Sequence, residues 1–171
     1  MGGKAPPEDA GKEFYRGWGL YGWSALIEGD GLSDAELREI LTRYRRVAVV
    51  GASREPTKPA SYVPRFLMRH GYEVFPVNPF ADEILGVKAY KTLEEVPRPV
   101  EIVDVFRPSE AVLEVARSAV KVGPKVFWMQ EGIYNREAAE LLKSHGITVV
   151  WDRCMMRVHN RLFGSKPHIP V

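Results

Sequence analysis

The sequence predicts an α/β domain, an open and mostly parallel sheet with helices on both faces, and three observations carry that prediction. Short runs of mostly apolar residues recur at 47–50, 102–106, 126–129 and 147–151, as strands buried on both faces require. Between them lie segments of about ten to fifteen residues whose apolar positions repeat with helical period. Glycines or capping side chains stand at the junctions. Strands alternating with helices build parallel βαβ units, and right-handed crossovers make the class Rossmann-like, in a single domain.

Taken in order, residues 1–32 are expected to form an N-terminal extension, residues 33–163 the domain and residues 164–171 a tail. Gly2, Gly3, Pro6 and Pro7 mark a disordered leader over residues 1 to about 12. Phe14, Tyr15, Trp18, Tyr21 and Trp23 follow, more aromatic surface than a free tail leaves in water. Three readings stay open for this segment: it covers an apolar patch of its own domain, joins two copies into a homo-oligomer, or forms a flap over a ligand.

Ser33 with Glu36 is a capping box, and Leu37, Ile40, Leu41 and Tyr44 then repeat at i, i+3, i+4 and i+7. The run 46–50 is the first strand, and Gly51 ends it abruptly. Tyr62 to His70 fit a helix stopped by Gly71, with Pro64 expected in its first turn, where no amide bond is lost. Glu73 to Val77 read as the second strand, although Pro76 cannot donate to a ladder. Gly86 to Tyr90 suggest a short third strand, and Leu93 to Val96 a helical turn. Ile102 to Phe106 form the next strand, followed by a helix expected to be capped at Ser109 and stopped at Gly123. Lys125 to Met129, a helix capped by Asn135, and Ile147 to Trp151 complete the domain.

In such sheets a ligand lies beyond the carboxyl ends of the strands, where the strand order reverses. That rule gathers Gly51, Ala52, Ser53, Arg54 and Lys58 after the first strand, and Val77, Asn78 and Pro79 after the second. Phe106, Arg107 and Pro108 follow the fourth, and Gln130, Glu131 and Gly132 the fifth. Arg54, Lys58 and Arg107 near a helix N-terminus favour phosphate groups, and Gly51-Ala52-Ser53 reads as a phosphate-binding turn. The same rim lacks a reactive set, since it holds no histidine and Ser53 has no evident activating base. No catalytic residue is therefore assigned.

Composition narrows the class of partner. The chain has 171 residues, 45% apolar and 27% charged, with a net charge of +2, an ordinary globular balance. Three basic and five acidic side chains fall in residues 1–32, so the remainder carries a modest cationic excess that suits a small anionic ligand. Arg153, Arg157 and Arg161 are spaced to line one helix face but are too few to specify nucleic acid. No apolar run approaches the roughly 20 residues that span a bilayer, and no signal peptide opens the chain. The single cysteine, Cys154, agrees with a reducing compartment, so a cytoplasmic location is expected. His70, His145, His159 and His168 lack metal-ligand spacing, and His159 and His168 are read as belonging to a tail.

Val49-Val50-Gly51-Ala52-Ser53, Lys58-Pro59, Pro76-Val77-Asn78-Pro79, Ile84-Leu85-Gly86, Val103-Asp104-Val105-Phe106-Arg107, Trp128-Met129-Gln130-Glu131-Gly132 and Asp152-Arg153-Cys154 together resemble the stand-alone CoA-binding proteins. Those are similar to the N-terminal domain of the succinyl-CoA synthetase alpha subunit. The resemblance covers about residues 36–163 and rests on the order and spacing of the motifs. It implies that Gly51, Ala52 and Ser53 hold phosphate, that Lys58 pairs with it, and that the loops Val77-Asn78-Pro79 and Phe106-Arg107-Pro108 flank nucleotide and pantetheine. Gln130 and Gly132 then lie near the pantetheine arm, with coenzyme A or an acyl-CoA as the cofactor. The synthetase's phosphorylated histidine belongs to a second domain that this sequence lacks, so a carrier or sensor is expected rather than a complete ligase.

A nicotinamide dinucleotide is the competing ligand, as for an NAD-dependent oxidoreductase or redox sensor. Two features count against it: the turn reads Gly-Ala-Ser instead of the three-glycine fingerprint, and Asn78 stands where a ribose-binding acid is expected. A third reading makes Cys154 a thiol nucleophile or a partner in a mixed disulfide with CoA. An isolated cysteine near a strand end is more often inert.

Overall fold

The computed structural model describes residues 29–164. The first helix, α1 (Asp34–Arg43), begins at the expected capping box: Ser33 Oγ accepts from the Glu36 amide at 3.1 Å and Glu36 Oε1 accepts from the Ser33 amide at 3.3 Å. There follow β1 (Arg46–Val50), α2 (Pro59–Arg69), β2 (Glu73–Val77), β3 (Glu83–Ile84) and β4 (Val87–Lys88). The second half comprises β5 (Ile102–Val105), α3 (Val112–Val122), β6 (Val126–Met129), α4 (Arg136–Ser144), β7 (Thr148–Val150) and α5 (Met155–Phe163).

Five strands form one wholly parallel sheet in the order β2-β1-β5-β6-β7. The chain winds outward from β1 in one direction to β2, then crosses to β5 and winds the other way, so the order reverses between β1 and β5. Alternate residues of each strand serve opposite faces. Ala48, Val50, Val103 and Val105 meet α3 and α4 through Val112, Ala116, Ala119, Ala138 and Leu142. Val47, Val49, Ile102 and Trp128 meet α1, α2 and α5 through Leu37, Val63, Leu67, Met155 and Val158. This double coverage explains why β1 and β5 lack the polar alternation of a one-sided sheet.

Several elements differ from the sequence expectation. Helix α2 starts at Pro59, so Pro59 takes the first-turn role and Pro64 lies inside the helix. The third strand does not join the main sheet: residues 87–88 pair antiparallel with 83–84 across Leu85 and Gly86, both at positive φ, and Tyr90 alone bridges to Val77. Pro76 is accommodated because β2 is an edge strand and the carbonyl of Pro76 points outward, where it accepts from the Tyr90 amide at 2.8 Å. Ser109 caps no helix. It opens a short 3-10 turn, Ser109–Ala111, and its hydroxyl accepts from the Tyr134 amide at 3.1 Å. Asn135 does cap α4, accepting from the Ala138 amide at 3.0 Å.

His159 belongs to α5 rather than to a tail and is buried near Phe66, His70, Tyr72 and Phe163. The arginine row is also committed to internal pairs: Arg153 with Asp30, Arg157 with Glu131 and Arg161 with Asp34. Asp30, expected in the N-terminal extension, has a fully buried side chain that accepts from Arg153 Nε at 2.9 Å, Arg153 Nη2 at 2.8 Å and the Trp151 amide at 3.2 Å. The aromatic segment from Phe14 to Trp23 and His168 lie outside the described residues.

Removing one partner of a buried, hydrogen-bonded ion pair leaves the other charge without compensation. Asp30→Ala should therefore destabilise the domain by about 3 kcal/mol, read from the urea midpoint, whereas Asp34→Ala should leave that midpoint nearly unchanged because its pair with Arg161 is solvated.

Candidate functional site

Between β1 and β5 the reversal of strand order opens a cleft of about 440 Å3, bounded by the start of α2, the loop after β5, the loop after β6 and the start of α5. Its lining includes Lys58, Pro59, Ala60 and Tyr62 on the first side, with Phe106, Arg107 and Pro108 beside them. Gln130, Glu131, Ile133, Cys154 and Arg157 complete it. Six of the rim residues expected from sequence are thus brought together: Lys58, Phe106, Arg107, Pro108, Gln130 and Glu131.

The remaining expected residues, Gly51, Ala52, Ser53, Arg54, Val77, Asn78, Pro79 and Gly132, do not line the cleft. Gly51 has φ +87°, and a Cβ there would stand 2.7 Å from the Phe106 carbonyl oxygen, so the space a side chain would need is filled by the neighbouring strand end. Its amide donates to the Val77 carbonyl at 3.1 Å. Ala52 and Val77 are buried. Asn78 Nδ2 donates to the Ala52 carbonyl at 2.9 Å, and Asn78 Oδ1 accepts from the Phe80 amide at 2.7 Å. Both ends of this amide therefore hold backbone.

Ser53 is fixed by the proline that the sequence placed one turn too early. Pro64 has no amide hydrogen to give the Ala60 carbonyl four residues before it. That carbonyl accepts instead from the Ser53 amide, at 3.1 Å, which ties the Gly-Ala-Ser turn to α2. Arg54 and Pro79 are exposed, and Arg54 acts electrostatically on Asp82. The Gly132 amide donates to Asp152 Oδ1 at 2.7 Å and joins the loops after β6 and β7.

Two of the cleft's cations already face carboxylates: Lys58 Nζ lies 3.1 Å from Glu55, and Arg157 lies 3.3 Å from Glu131. Both pairs are open to water, so an arriving anion competes with them at small cost. Cys154, half-buried, precedes α5. Burial pushes its thiol above the ordinary value. The amides of Arg157 and Met156 act in the opposite sense, and the charges of Asp104 and Glu131 add to the rise. This environment favours the protonated thiol over the thiolate that nucleophilic chemistry needs.

Beneath Gln130 lies Asp104, to which the sequence alone assigns no role. Asp104 is completely buried in β5, where alternation turns it to the same face as Ile102. Gln130 Nε2 donates to Asp104 Oδ1, and Asp104 Oδ2 has no hydrogen-bond partner among the described residues. Burial pushes this carboxyl up to about 7, with the Gln130 hydrogen bond pulling the other way. A charged residue inside an apolar strand was the available signal. Tyr62, Ile133 and Ala60 carried none, because only the true start of α2 and the path of the β6–α4 loop bring them to the cleft.

A family model described as a CoA binding domain matches residues 45–160. The chain belongs to that family. The uncharacterized protein YneT of Bacillus subtilis is 45% identical over 127 residues, which cover 74% of this chain and 94% of YneT. A hypothetical protein from Pyrococcus horikoshii has a solved structure that is 46% identical with a TM-score of 0.77, covering 79% of this chain and 95% of its own. The ADP-forming acetate–CoA ligase II of Archaeoglobus fulgidus is 32% identical over 117 residues, 61% of this chain but 17% of the ligase. Family membership and the cleft thus rest on the same segment, from β1 into α5.

Two measurements check the Gly51 contact and the buried acid. Gly51→Ala should cost about 1–3 kcal/mol of stability in urea, since it adds backbone strain and drives a Cβ into the Phe106 carbonyl. For Asp104, the raised folded value means that the folded chain holds a proton the unfolded chain has released, so its stability contribution is present at low pH and lost as pH rises toward about 7. Asp104→Asn should accordingly gain stability relative to the unsubstituted protein between about pH 4 and about pH 7, with a level difference above that.

Proposed function

We propose that this protein binds coenzyme A or an acyl-CoA in the cleft between β1 and β5, as a carrier or sensor. The observation that carries the reading is the polarity of the lining. Lys58 and Arg107 supply positive charge beside the start of α2, and Pro59, Tyr62, Phe106, Pro108 and Ile133 supply apolar surface. A ligand with phosphates at one end and a long, largely uncharged arm matches that division. Helix α2 adds the positive end of its dipole to the cationic lip.

In this reading Lys58 exchanges Glu55 for a phosphate, and Arg107 approaches the same group from the other strand end. Gly51, Ala52 and Asn78 hold the two lips at the correct separation, while Gln130 and Ile133 meet the pantetheine arm. Arg54 and Pro79, exposed at the outer rim, approach the nucleotide end, and Gly132 holds the loop that carries Gln130. The raised thiol of Cys154 supports a binding role over covalent catalysis. A single cysteine in the sequence is in keeping with a cytoplasmic protein.

An NAD site is less well supported. Asn78 occupies the position where an acid would receive the ribose, and its amide is spent on Ala52 and Phe80.

Thermal unfolding separates the two ligands. CoA should raise the melting temperature, by the equivalent of about 2.7 kcal/mol at a hundredfold excess over Kd, and NAD at the same concentration should not. Lys58→Ala and Arg107→Ala should each weaken CoA binding about fivefold to tenfold in titration calorimetry, with little change in the unliganded melting temperature. Stabilisation by NAD but not CoA would overturn the proposal.

A further inference from the structure

We propose that Asp104 is a positioning residue for the ligand arm: it holds the Gln130 amide with its NH2 inward, so that Oε1 is presented to the cleft as the acceptor for an amide N–H of the bound ligand. The inference rests on the CoA reading above and deepens it, because pantetheine carries two secondary amides.

The geometry comes first. Gln130 lines the cleft yet is almost fully buried, and its Nε2 is committed to Asp104 Oδ1. A carboxylate can only accept, whereas a primary amide has one donating end and one accepting end. An ionised Asp104 therefore fixes which end of Gln130 is left for the ligand. A protonated Asp104 reverses the preference: its O–H donates to Oε1, and the amide turns its NH2 to the cleft. Oδ2, buried and without a hydrogen-bond partner among the described residues, carries that proton once the carboxyl turns it toward Gln130.

The cleft's other side chains show why the accepting end matters. Lys58, Arg107 and Arg157 are donors, and Glu131 is engaged by Arg157. An amide N–H entering between them needs an acceptor that costs no buried charge, and Oε1 of Gln130 meets that need.

Burial places the Asp104 carboxyl near about 7, so both protonation states are accessible around neutrality. The groups around it add little competing charge. Its register partners on β1 and β6 are Val49 and Trp128. From α2 and α5 the face receives Val63, Leu67, Met155 and Val158, with His159 also buried on α5. Cys154 at the start of α5 senses the charge of Asp104, while Lys58, Tyr62, Arg107, Glu131 and Arg157 face the cleft beyond Gln130.

Calorimetric titration of CoA into the full chain and into Asp104→Asn, from about pH 6 to about pH 8, tests the arrangement. If only the ionised form presents Oε1, the competent fraction at one unit below the midpoint is about one tenth, so affinity should fall about tenfold from about pH 8 to about pH 6. The comparison is the ratio to Asp104→Asn at each pH, which cancels ionisation of the ligand phosphates. Repeating the titration in buffers of different ionisation enthalpy should show more proton release on binding near neutrality than Asp104→Asn gives. Simple repulsion between ligand phosphates and the carboxylate predicts the opposite, proton uptake, and that result would overturn the inference.

A measurement without any substitution guards against a variant that folds poorly. Carbon-13 NMR of the Asp104 carboxyl should show its titration midpoint moving down when CoA is added, and an unmoved or raised midpoint would equally reject the positioning role. CoA binding with a flat ratio rejects this inference alone, whereas no CoA binding at any pH rejects the proposed function itself.

Discussion

The site depends on the contact between two strand ends at the centre of the sheet, where Gly51 after β1 meets the carbonyl of Phe106 after β5. Parallel strands that diverge into opposite halves of a sheet leave a crevice between their carboxyl ends. Here the crevice is set by a backbone contact closer than any side chain permits. Gly51 needs both its positive φ and its missing Cβ. Because the Gly51 amide also bonds Val77, the ends of β1, β2 and β5 are held in one layer, and the loop carrying Arg107 starts from a fixed point.

A second constraint comes from an apparent fault in a helix. Pro64 denies the Ala60 carbonyl its ordinary donor, and a buried unpaired carbonyl would be costly. The Ser53 amide supplies the missing bond, so the defect in α2 becomes the anchor of the β1 turn. The Gly-Ala-Ser turn thus has a structural task in addition to any it has toward a ligand. Its Ser53 amide is already engaged by α2, while Lys58, Arg107 and Arg157 and the N-terminal dipole of α2 give the cleft its cationic character.

The sheet, its order of elements and the rim were legible in the sequence because they follow from patterns of short range. Apolar runs such as 47–50 and 126–129 identify doubly buried strands, while Ser33 with Glu36 and Asn135 mark helix starts. Features that depend on contacts between distant segments were not legible. Pro64 could be assigned to a first turn only while the start of α2 was unknown. Ser109 resembled a cap, but the Tyr134 amide, 25 residues away, claims its hydroxyl. Likewise Asp104 became a candidate only when Gln130 was found above it, and Arg153 lost its place in an exposed basic row when Asp30 was found beside it.

Asn78 has a structural reason beside the one the sequence suggests. From sequence, its neutrality argues against a dinucleotide because the ribose hydroxyls lose an acceptor. In the fold, Nδ2 must donate to the Ala52 carbonyl while Oδ1 accepts from the Phe80 amide. An ionised aspartate could perform the second task but would set a carboxylate oxygen against the Ala52 carbonyl, replacing a hydrogen bond with repulsion between two acceptors. The asparagine is therefore demanded by the turn whatever ligand arrives. The geometry of β1 and β2 thus bears on the proposed ligand at one remove: a turn built to be closed by an amide leaves no acid at the position that would receive a ribose.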